Sequence, residues 1–193
     1  MDYVDLNPKA GNKPAAAGAL LIAEPLLADP NFSRSVVLLC EHSTDGTVGF
    51  VLNQETALTL TDIVEELENT DLPIYQGGPV QPDTLHVLHR IPALLGGTEV
   101  APGIYWGGTY DSLKTLVTLN TFNPADIRLF IGYSGWSPGQ LDAEIAEGSW
   151  LVTGITTDLL FDTPPADIWK KAIGFLDKKY SFLANVPANP QLN

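Results

Sequence analysis

The chain has 193 residues, the length of one domain, and its 45% content of hydrophobic residues is typical of a folded protein and excludes a disordered one. The formal net charge of −13 repels phosphate backbones, so direct binding to nucleic acid is not expected. With one cysteine, Cys40, no internal disulfide bond can form, and a reducing, cytoplasmic location is expected.

The first segment along the chain is a polar arm, followed by a buried strand. Residues 1–17 are small and polar with proline and glycine, which predicts a flexible N-terminal arm before a single domain at 18–193. The apolar stretch that follows resembles an export signal, but Glu24 and Pro25 interrupt it, so we interpret it as a strand at 19–23. No apolar run is long enough to span a bilayer, and we expect no membrane partner.

The next segments predict a hairpin and a helix. Residues 35–41 and 47–53 are rich in apolar and β-branched side chains, and an Asp45-Gly46 turn separates them. This pattern predicts a hairpin with both strands largely buried. Residues 58–69 place their leucine, isoleucine and valine side chains on one face at helical spacing, which predicts an amphipathic helix.

The middle of the chain predicts short strands and a second helix. Residues 74–80 are β-rich but contain a Gly-Gly-Pro sequence, which indicates a break in the strand. Further strands are predicted at 83–91 and 103–108, and a helix at 111–119.

The last third predicts a strand, a sharp turn and two helices. A strand at 127–132 meets a Gly-Tyr-Ser-Gly turn. The sequence Ser-Pro-Gly-Gln then has the residues of a capping box, which predicts a helix with Ser137 as its N-cap and Gly148 at its end. A strand at 149–153 and a final helix at 164–179 follow.

These elements indicate the fold class. The pattern predicts about eight short strands and about four helices. Hairpins and helices are mixed without strict alternation, which favours an α+β fold over a doubly wound parallel sheet.

Ser134 stands where a hydrolase would present its nucleophile, between a strand and a helix. The nucleophile-elbow pattern is G-x-S-x-G, and here Trp136 takes the place of the second glycine. All three histidines precede the serine, whereas the α/β-hydrolase order places histidine last. We therefore expect a structural corner in which Gly132 and Gly135 supply permissive backbone. In that corner Trp136 anchors the helix and Ser137 caps it.

Cys40 is a second candidate nucleophile, because His42 shares its face of the predicted strand. Val36 and Leu38 precede Cys40 on that face, and they are apolar. This pattern is more typical of a core cysteine than of a reactive thiol.

No metal or cofactor site is expected. His86 and His89 would face opposite ways in a strand, and no second pair of ligands stands nearby in the sequence. The Gly-Gly pairs at 77–78 and 107–108 match neither a dinucleotide-binding nor a Walker pattern.

Arg34 precedes a predicted buried strand and has two interpretations. Its guanidinium could bind a carboxylate ligand. It could equally pair with Asp29 or Glu41 inside the fold and fix the start of the strand. Because a sequence shows no pocket, we expect the ion pair inside the fold.

Several blocks of the sequence together resemble a known bacterial family. They are LLIAEPLLADPNFSRSVVLLCEH, GTVGFVLN, GGPV and IRLFIGYSGWSPGQLDAEI, the last followed by GSW. In this order they are similar to the signature blocks of the YqgE/AlgH family, and they cover most of residues 18–180. The resemblance implies an α+β fold in which a largely antiparallel sheet curls into a flattened barrel with about four helices packed outside.

The resemblance also implies a class of function. The family consists of small cytoplasmic proteins without an established enzyme activity, and the AlgH name carries the label of a transcriptional regulator linked to alginate production. That label describes a genetic effect rather than a mechanism. Because an acidic chain does not favour DNA, we expect regulation to pass through a protein partner or a small ligand.

We therefore expect a non-catalytic binding or regulatory protein without a catalytic residue. The alternative is a hydrolase with Ser134 or Cys40 as its nucleophile. The polar motif positions that could line a ligand-binding cleft or form a buried hydrogen-bond network are Arg34, Glu41, His42, Asn53 and Gln140. The motif positions expected to shape turns or anchor a helix are Gly77, Gly78, Pro79, Gly132, Gly135, Trp136 and Ser137.

Overall fold

Ten strands form one curled sheet in the computed structural model, which describes residues 13–25, 27, 29–64, 66–67 and 70–186. In chain order the strands are β1 (Ala19–Ala23), β2 (Val36–Ser43), β3 (Gly46–Val51), β4 (Glu55–Thr59), β5 (Pro73–Gln76), β6 (Val80–His89), β7 (Thr98–Ala101), β8 (Ile104–Trp106), β9 (Ile127–Trp136) and β10 (Trp150–Gly154). Most of the predicted N-terminal arm at 1–17 lies outside the described residues, and 13–17 belong to no strand or helix.

Short helices connect the strands. The α-helices of the described chain are α1 (Leu60–Ile63), α2 (Pro92–Leu95), α3 (Tyr110–Leu119), α4 (Gln140–Glu147), α5 (Thr157–Phe161) and α6 (Pro165–Ile173). A 3-10 turn at Pro124–Asp126 precedes β9, and a C-terminal 3-10 helix spans Lys178–Asn185. The predicted last helix therefore ends at Ile173 rather than at 179. None of the described helices has both the length and the apolarity to cross a bilayer.

Neighbouring strands run antiparallel almost throughout. The order across the sheet is β10-β1-β2-β3-β9-β6-β8-β7, while β5 pairs with both β4 and β9. Among the described strand pairs only β5 and β9 are parallel, with Ile74 opposite Leu129. The predicted α+β class with a largely antiparallel sheet is confirmed.

The sheet curls until strands from its two ends share one core. Leu20 of β1 and Ile104 of β8 belong to the same hydrophobic cluster, although several strands separate them in the sheet. Gly18, just before β1, approaches β7 so closely that a Cβ atom on it would lie 2.5 Å from the Val100 carbonyl oxygen. The enclosed interior is filled by side chains and is closed by α5 and α6, which contribute Phe161 and Trp169.

Two further clusters lie on the outer face of the sheet. One lies under α4, where Leu141 packs with Trp136 and Trp150. The other lies under α1, α2 and α3, where Leu60 packs with Leu113. Each longer helix therefore buries one apolar face against the sheet, as the periodicity predicted.

The helix predicted at 58–69 is wrong for most of the described residues of that range, and residues 65, 68 and 69 lie outside them. Only four residues form α1, and β4 precedes them. Pairing of Thr59 with Pro73 holds this part of the chain in a strand. Leu60 and Leu67 are buried, as the predicted apolar face requires, but strand pairing overrides the helical periodicity.

The hairpin of β2 and β3 is confirmed, whereas the predicted turn around Ser134 is wrong. β9 runs without interruption through the Gly-Tyr-Ser-Gly sequence to Trp136. Thr47 of β3 pairs with Trp136, and Gly49 pairs with Ser134. The backbone hydrogen bonds of β3 keep this stretch extended, and the sequence of β9 alone does not indicate that partner.

The predicted cap of the following helix is displaced. α4 begins at Gln140, and Gly139 is its N-cap in the left-handed conformation, with a φ of 73°. Ser137 is therefore not the N-cap, and Pro138 is not the first helical residue, because β9 extends beyond its predicted end. The Gln140 side chain still accepts a hydrogen bond from the Ser137 N–H at 3.0 Å. Gly148 ends the helix as predicted.

The chain crosses over β9 between β5 and β6. β5 pairs with one edge of β9 and β6 with the other, so residues 77–79 pass from one side to the other. A Cβ atom on Gly77 would lie 2.3 Å from the Gly132 carbonyl oxygen, and one on Gly78 would lie 2.3 Å from that of Tyr133. Two backbones thus meet where no side chain fits, which is the reason for the paired glycines.

We expect Gly77→Ala to lower the free energy of unfolding by about 2 kcal/mol or more, because the new methyl group overlaps the Gly132 carbonyl oxygen. Gly154→Ala is the matched control, since its added Cβ meets no atom within 4 Å and neither glycine has a positive φ. Urea denaturation of both variants measures the difference. Equal stability would show that the backbones do not touch at the crossing.

Candidate functional site

Ser134 lies at this crossing and is fully buried. Its hydroxyl donates a hydrogen bond to the Gly77 carbonyl oxygen at 3.0 Å. A backbone acceptor in the core thus holds the proton that a catalytic base would have to remove. Gly132 takes the left-handed conformation here, with a φ of 64°, whereas Gly135 does not. The serine therefore joins β9 to the segment that crosses it through a hydrogen bond.

The three histidines lie at separate places and form no Ser–His pair. His42 Nδ1 lies 2.7 Å from a threonine hydroxyl, His86 Nε2 lies 2.9 Å from another, and His89 stacks on a tyrosine ring. Within the described residues, no group of three His, Cys, Asp or Glu side chains comes together to hold a metal ion. The histidines therefore supply neither a base for Ser134 nor a metal site.

Cys40 points into the barrel interior with the largest hydrophobic cluster. Burial raises the pKa of its thiol far above the ordinary value, and the neighbouring Glu41 carboxylate raises it further. The thiol is therefore protonated at neutral pH, whereas a nucleophilic cysteine needs a thiolate.

The five polar candidate residues do not converge on one site. Arg34 and Asn53 lie together near the start of β2. Glu41 and His42 lie at its other end, and Gln140 lies on α4. The length of β2 separates the two groups by about 20 Å.

The Asn53 side chain forms hydrogen bonds with the backbone at Arg34 and Val36. The amide of Asn53 donates to the Arg34 carbonyl oxygen at 2.9 Å and accepts from the Val36 N–H at 2.9 Å. These bonds hold Arg34 at a φ of 51°, a conformation that few non-glycine residues adopt. The Arg34 guanidinium lies 4.5 Å from the centre of the Trp169 ring and donates to the Val186 carbonyl oxygen.

The predicted internal ion pair of Arg34 is wrong. No carboxylate of the described chain lies within ion-pair distance of it, so neither Asp29 nor Glu41 is its partner. Its contacts to an indole ring and a carbonyl oxygen instead join the start of β2 to α6 and to the end of the C-terminal 3-10 helix.

The second group of polar candidates is spread over the outer face near α4. His42 Nε2 lies 4.0 Å from Asp142 on that helix. The Gln140 amide donates to Glu144 at 2.9 Å, one turn further along. Glu41 is exposed. These side chains support the position of α4 and enclose no common cavity.

Glu144 anchors α4, and sequence reasoning missed it. Its Oε2 atom accepts hydrogen bonds from the indole N–H groups of Trp136 at 2.9 Å and Trp150 at 2.8 Å. The Phe32 ring packs against both indoles. The only signal in the sequence was the spacing of four between Gln140 and Glu144, which is typical of a helical pair. It gave no indication of the two tryptophan donors.

A preformed cavity of 400 Å³ lies between β6, the end of β8 and the start of α3. The residues that define this aromatic pocket are His86, Trp106 and Tyr110 around an apolar floor of Leu85, Val87 and Leu113. The floor is continuous with the hydrophobic cluster under α1, α2 and α3. The sequence indicated none of these residues as part of a small-molecule site, because they come from separate segments, and His86 was considered only as a metal ligand.

The polar groups of the aromatic pocket come from an open strand edge and an imidazole. β8 pairs with β6 only beyond Val87, whose carbonyl oxygen accepts from the Gly107 N–H at 2.9 Å. In an antiparallel strand every second residue directs its N–H and C=O to the same edge. Leu85, two residues before Val87, therefore directs its N–H and C=O to the part of the β6 edge that β8 does not cover. Burial lowers the pKa of His86, which is therefore neutral at pH 7. The Thr84 hydroxyl donates to the Gln81 carbonyl oxygen and so accepts from His86 Nε2, which leaves His86 Nδ1 as an acceptor.

A second depression of 460 Å³ lies at the ends of β2, β3 and β9. Glu41 and Asp45 contribute carboxylates to this strand-end cleft, and Tyr133 contributes a ring. The cleft is wider open and more polar than the aromatic pocket. Pockets that hold small organic ligands are mostly apolar with a few polar groups, so the aromatic pocket is the better candidate.

Comparisons with known proteins place this architecture in a family. A family model described as AlgH-like matches residues 20–181. A UPF0301 protein of Chlorobium luteolum is 40% identical over 182 residues, which cover 94% of this chain and 96% of that protein. A UPF0301 protein of Chlorobaculum tepidum is 38% identical over 177 residues, 91% of this chain and 95% of that protein.

Solved structures share the fold. The solution structure of the AlgH protein from Pseudomonas aeruginosa superposes with a TM-score of 0.70 at 29% identity, over 97% of this chain and 98% of that chain. The crystal structure of a protein from Corynebacterium diphtheriae gives a TM-score of 0.76 at 23% identity, over 95% of this chain and 99% of that chain. The names of these relatives and structures state no activity or ligand.

We expect Arg34→Ala to lower the free energy of unfolding by about 1–3 kcal/mol, because it removes the contact to the Trp169 ring and a hydrogen bond to a carbonyl oxygen. In double-mutant cycles followed by urea denaturation, Arg34→Ala should couple to Trp169→Leu and not to Glu41→Gln. A coupling of about 1 kcal/mol or more to Glu41→Gln would identify a carboxylate partner and contradict this account.

Proposed function

This chain belongs to the AlgH-like family, and we propose that it is a non-catalytic binding protein that takes a small ligand in its aromatic pocket. We further propose that any regulatory effect passes through that ligand or through a protein partner. The net charge of −13 disfavours direct contact with DNA.

The observation that supports this proposal most is the aromatic pocket itself. Its volume of 400 Å³ falls in the range of about 300–1,000 Å³ that small-molecule sites occupy. It combines an apolar floor with an imidazole and an open strand edge. That is the composition of a site that holds an organic molecule by burial and orients it by a few hydrogen bonds.

The chemistry of the pocket favours a planar, largely apolar ligand. Trp106 and Tyr110 offer ring faces, and Tyr110 is 46% exposed, so part of its ring can be covered on binding. A donor or acceptor on the ligand can meet the neutral His86 or the backbone of Leu85. Such a ligand needs no charge of its own, since none of the described residues that line the pocket is a Lys, Arg, Asp or Glu.

The pocket also offers a route from ligand to partner. Leu95 of α2 lines it, and the preceding residue, Leu94, is 48% exposed on the surface. A ligand that contacts α2 and the start of α3 can therefore alter an exposed apolar side chain. This supports regulation through a protein partner better than through DNA.

The hydrolase alternative has no comparable support. The Ser134 hydroxyl is buried and donates to a backbone carbonyl oxygen, and the Cys40 thiol is buried and protonated. Neither side chain borders the aromatic pocket or the strand-end cleft. We therefore favour binding without catalysis.

Indole, a planar probe with one N–H donor, tests the pocket. We expect it to bind with a dissociation constant of about 1 mM, a value suited to so small a molecule. Its binding should produce saturable changes in the backbone amide NMR signals of Leu85–Val87 and Gly107–Tyr110.

A matched pair of variants provides the control. Leu85→Trp fills the pocket and should abolish the indole response, whereas Leu119→Trp makes the same exchange at a residue that is 63% exposed and lies outside the pocket. A response that is absent in the unaltered protein, or that persists unchanged in Leu85→Trp, would contradict the proposed site.

A further inference from the structure

The acidic chain has one basic face. Four of its ten basic residues are Lys170, Lys171, Lys178 and Lys179, which are exposed on α6 and the C-terminal 3-10 helix. No carboxylate of the described chain lies within 4.0 Å of the ammonium groups of Lys170, Lys171 or Lys178, whereas Lys114 pairs with Glu66. Lys171 donates to the Thr163 hydroxyl at 3.0 Å, so what these three lysines lack is a carboxylate partner. With 23 acidic residues in the sequence, this surface differs from the rest of the chain.

The periodicity of the two helices explains this outward placement. In α6 the buried residues Trp169 and Ile173 recur at a spacing of four, which leaves Lys170 and Lys171 outside. In a 3-10 helix residues three apart share a face. Tyr180 is buried there, so the lysines beside it lie on the outer faces.

A small cavity of 250 Å³ opens beside this basic face. Its lining includes the cations Arg34 and Lys170, the Trp169 ring, and the first turn of α6 at Pro165 and Ala166. None of the described residues that line it is acidic, although Asp167 lies in the same first turn of α6. A cavity with two cations and no acid in a chain of charge −13 concentrates positive potential at one point.

Arg34 is held in place before any ligand arrives. Its guanidinium lies over the Trp169 ring and bonds to the Val186 carbonyl oxygen, and Asn53 fixes its backbone. A guanidinium has five N–H donors, so these contacts leave donors for an anion. Its Nε atom is buried and has no acceptor in the described part of the chain, so an anion in the cavity would have to be bound through the two Nη groups. A fixed guanidinium loses little conformational entropy when it binds an oxyanion.

The start of α6 adds to the positive potential. Pro165 has no N–H, and the Asp167 N–H donates to the Pro164 carbonyl oxygen at 2.9 Å, which leaves the Ala166 N–H at the positive end of a nine-residue helix. The N-cap residue, Pro164, offers no capping side chain, and the exposed Asp167 carboxylate of the first turn offsets part of this potential. The helix alone would not define a site. Together with two cationic side chains around a cavity, it supports anion binding.

We propose that this anion pocket, defined by Arg34, Lys170 and the first turn of α6, binds a phosphate group. A phosphate monoester carries a charge between about −1 and −2 at pH 7, which suits two cations better than a single carboxylate does. The phosphate group can belong to a small phosphate ester or to the headgroup of a lipid. The exposed Phe175 and Phe182 next to the lysines are compatible with the second source. The site is independent of the aromatic pocket and does not rest on the proposed function.

NMR titration with inorganic phosphate and with phenyl phosphate, at constant ionic strength, tests the pocket. We expect saturable changes at the Ala166 amide and at the Arg34 Nε–H signal. Lys170→Gln should weaken phosphate binding about tenfold, because it removes one charged donor. The substituted residue is exposed on α6, so the exchange should not disturb the core. Lys13→Gln is the matched control, since Lys13 is exposed and lies outside the pocket, and it should leave binding unchanged.

A second arm distinguishes the two sources of phosphate. Vesicles of phosphatidylglycerol and of phosphatidylcholine are sedimented with the protein and with both variants. A lipid headgroup would be supported by binding to phosphatidylglycerol vesicles that is weakened in Lys170→Gln and unchanged in Lys13→Gln. A soluble ester would be supported by saturable binding of phenyl phosphate without binding to vesicles. The proposal is overturned when neither probe binds, or when both variants lose binding equally. Thermal unfolding of the variants confirms that each is folded.

Discussion

The close contact of two backbones at the crossing of β9 is the constraint on which the rest of this structure depends. Gly77 and Gly78 pass over Gly132 and Tyr133 with no room for a Cβ atom. The crossing lets β5 and β6 use opposite edges of β9, and β3 then extends the same strand. β9 thereby belongs to both halves of the sheet, and its side chains reach all three hydrophobic clusters, through Phe130, Trp136 and Leu129.

Polar side chains in this fold mostly secure backbones and helices. Ser134 donates a hydrogen bond to a carbonyl oxygen at the crossing, and Asn53 forms hydrogen bonds with the backbone on both sides of the left-handed residue Arg34. Glu144 ties two indoles to α4. Such fully bonded groups stabilise one arrangement of the core, since a buried polar group without a partner is costly. Ser134 and Glu144 line none of the three cavities described above, whereas Asn53 lines the anion pocket.

Local patterns in the sequence predicted local structure well, and contacts between distant segments account for the errors. The hairpin of β2 and β3, the strand β1 and the helices α3 and α4 follow from periodicity and turn residues. The turn predicted at Ser134 and the cap predicted at Ser137 fail because β3 pairs with the end of β9. The polar candidates do not form one site, because Arg34 and Asn53 lie near the start of β2 whereas Glu41 and His42 lie at its other end. The aromatic pocket joins three segments, and its residues carry no common motif.

The central claim is that the glycine–serine stretch of β9 is a sealed structural crossing, and labelling with a fluorophosphonate tests it most directly. This reagent modifies serines that a neighbouring base activates, and mass spectrometry of the digested protein locates the modified residue. A hydroxyl that is fully buried and bonded to the Gly77 carbonyl oxygen predicts no modification of Ser134 in the folded protein. Stoichiometric modification of Ser134 that disappears when the protein is unfolded before labelling would contradict the account and identify a catalytic serine.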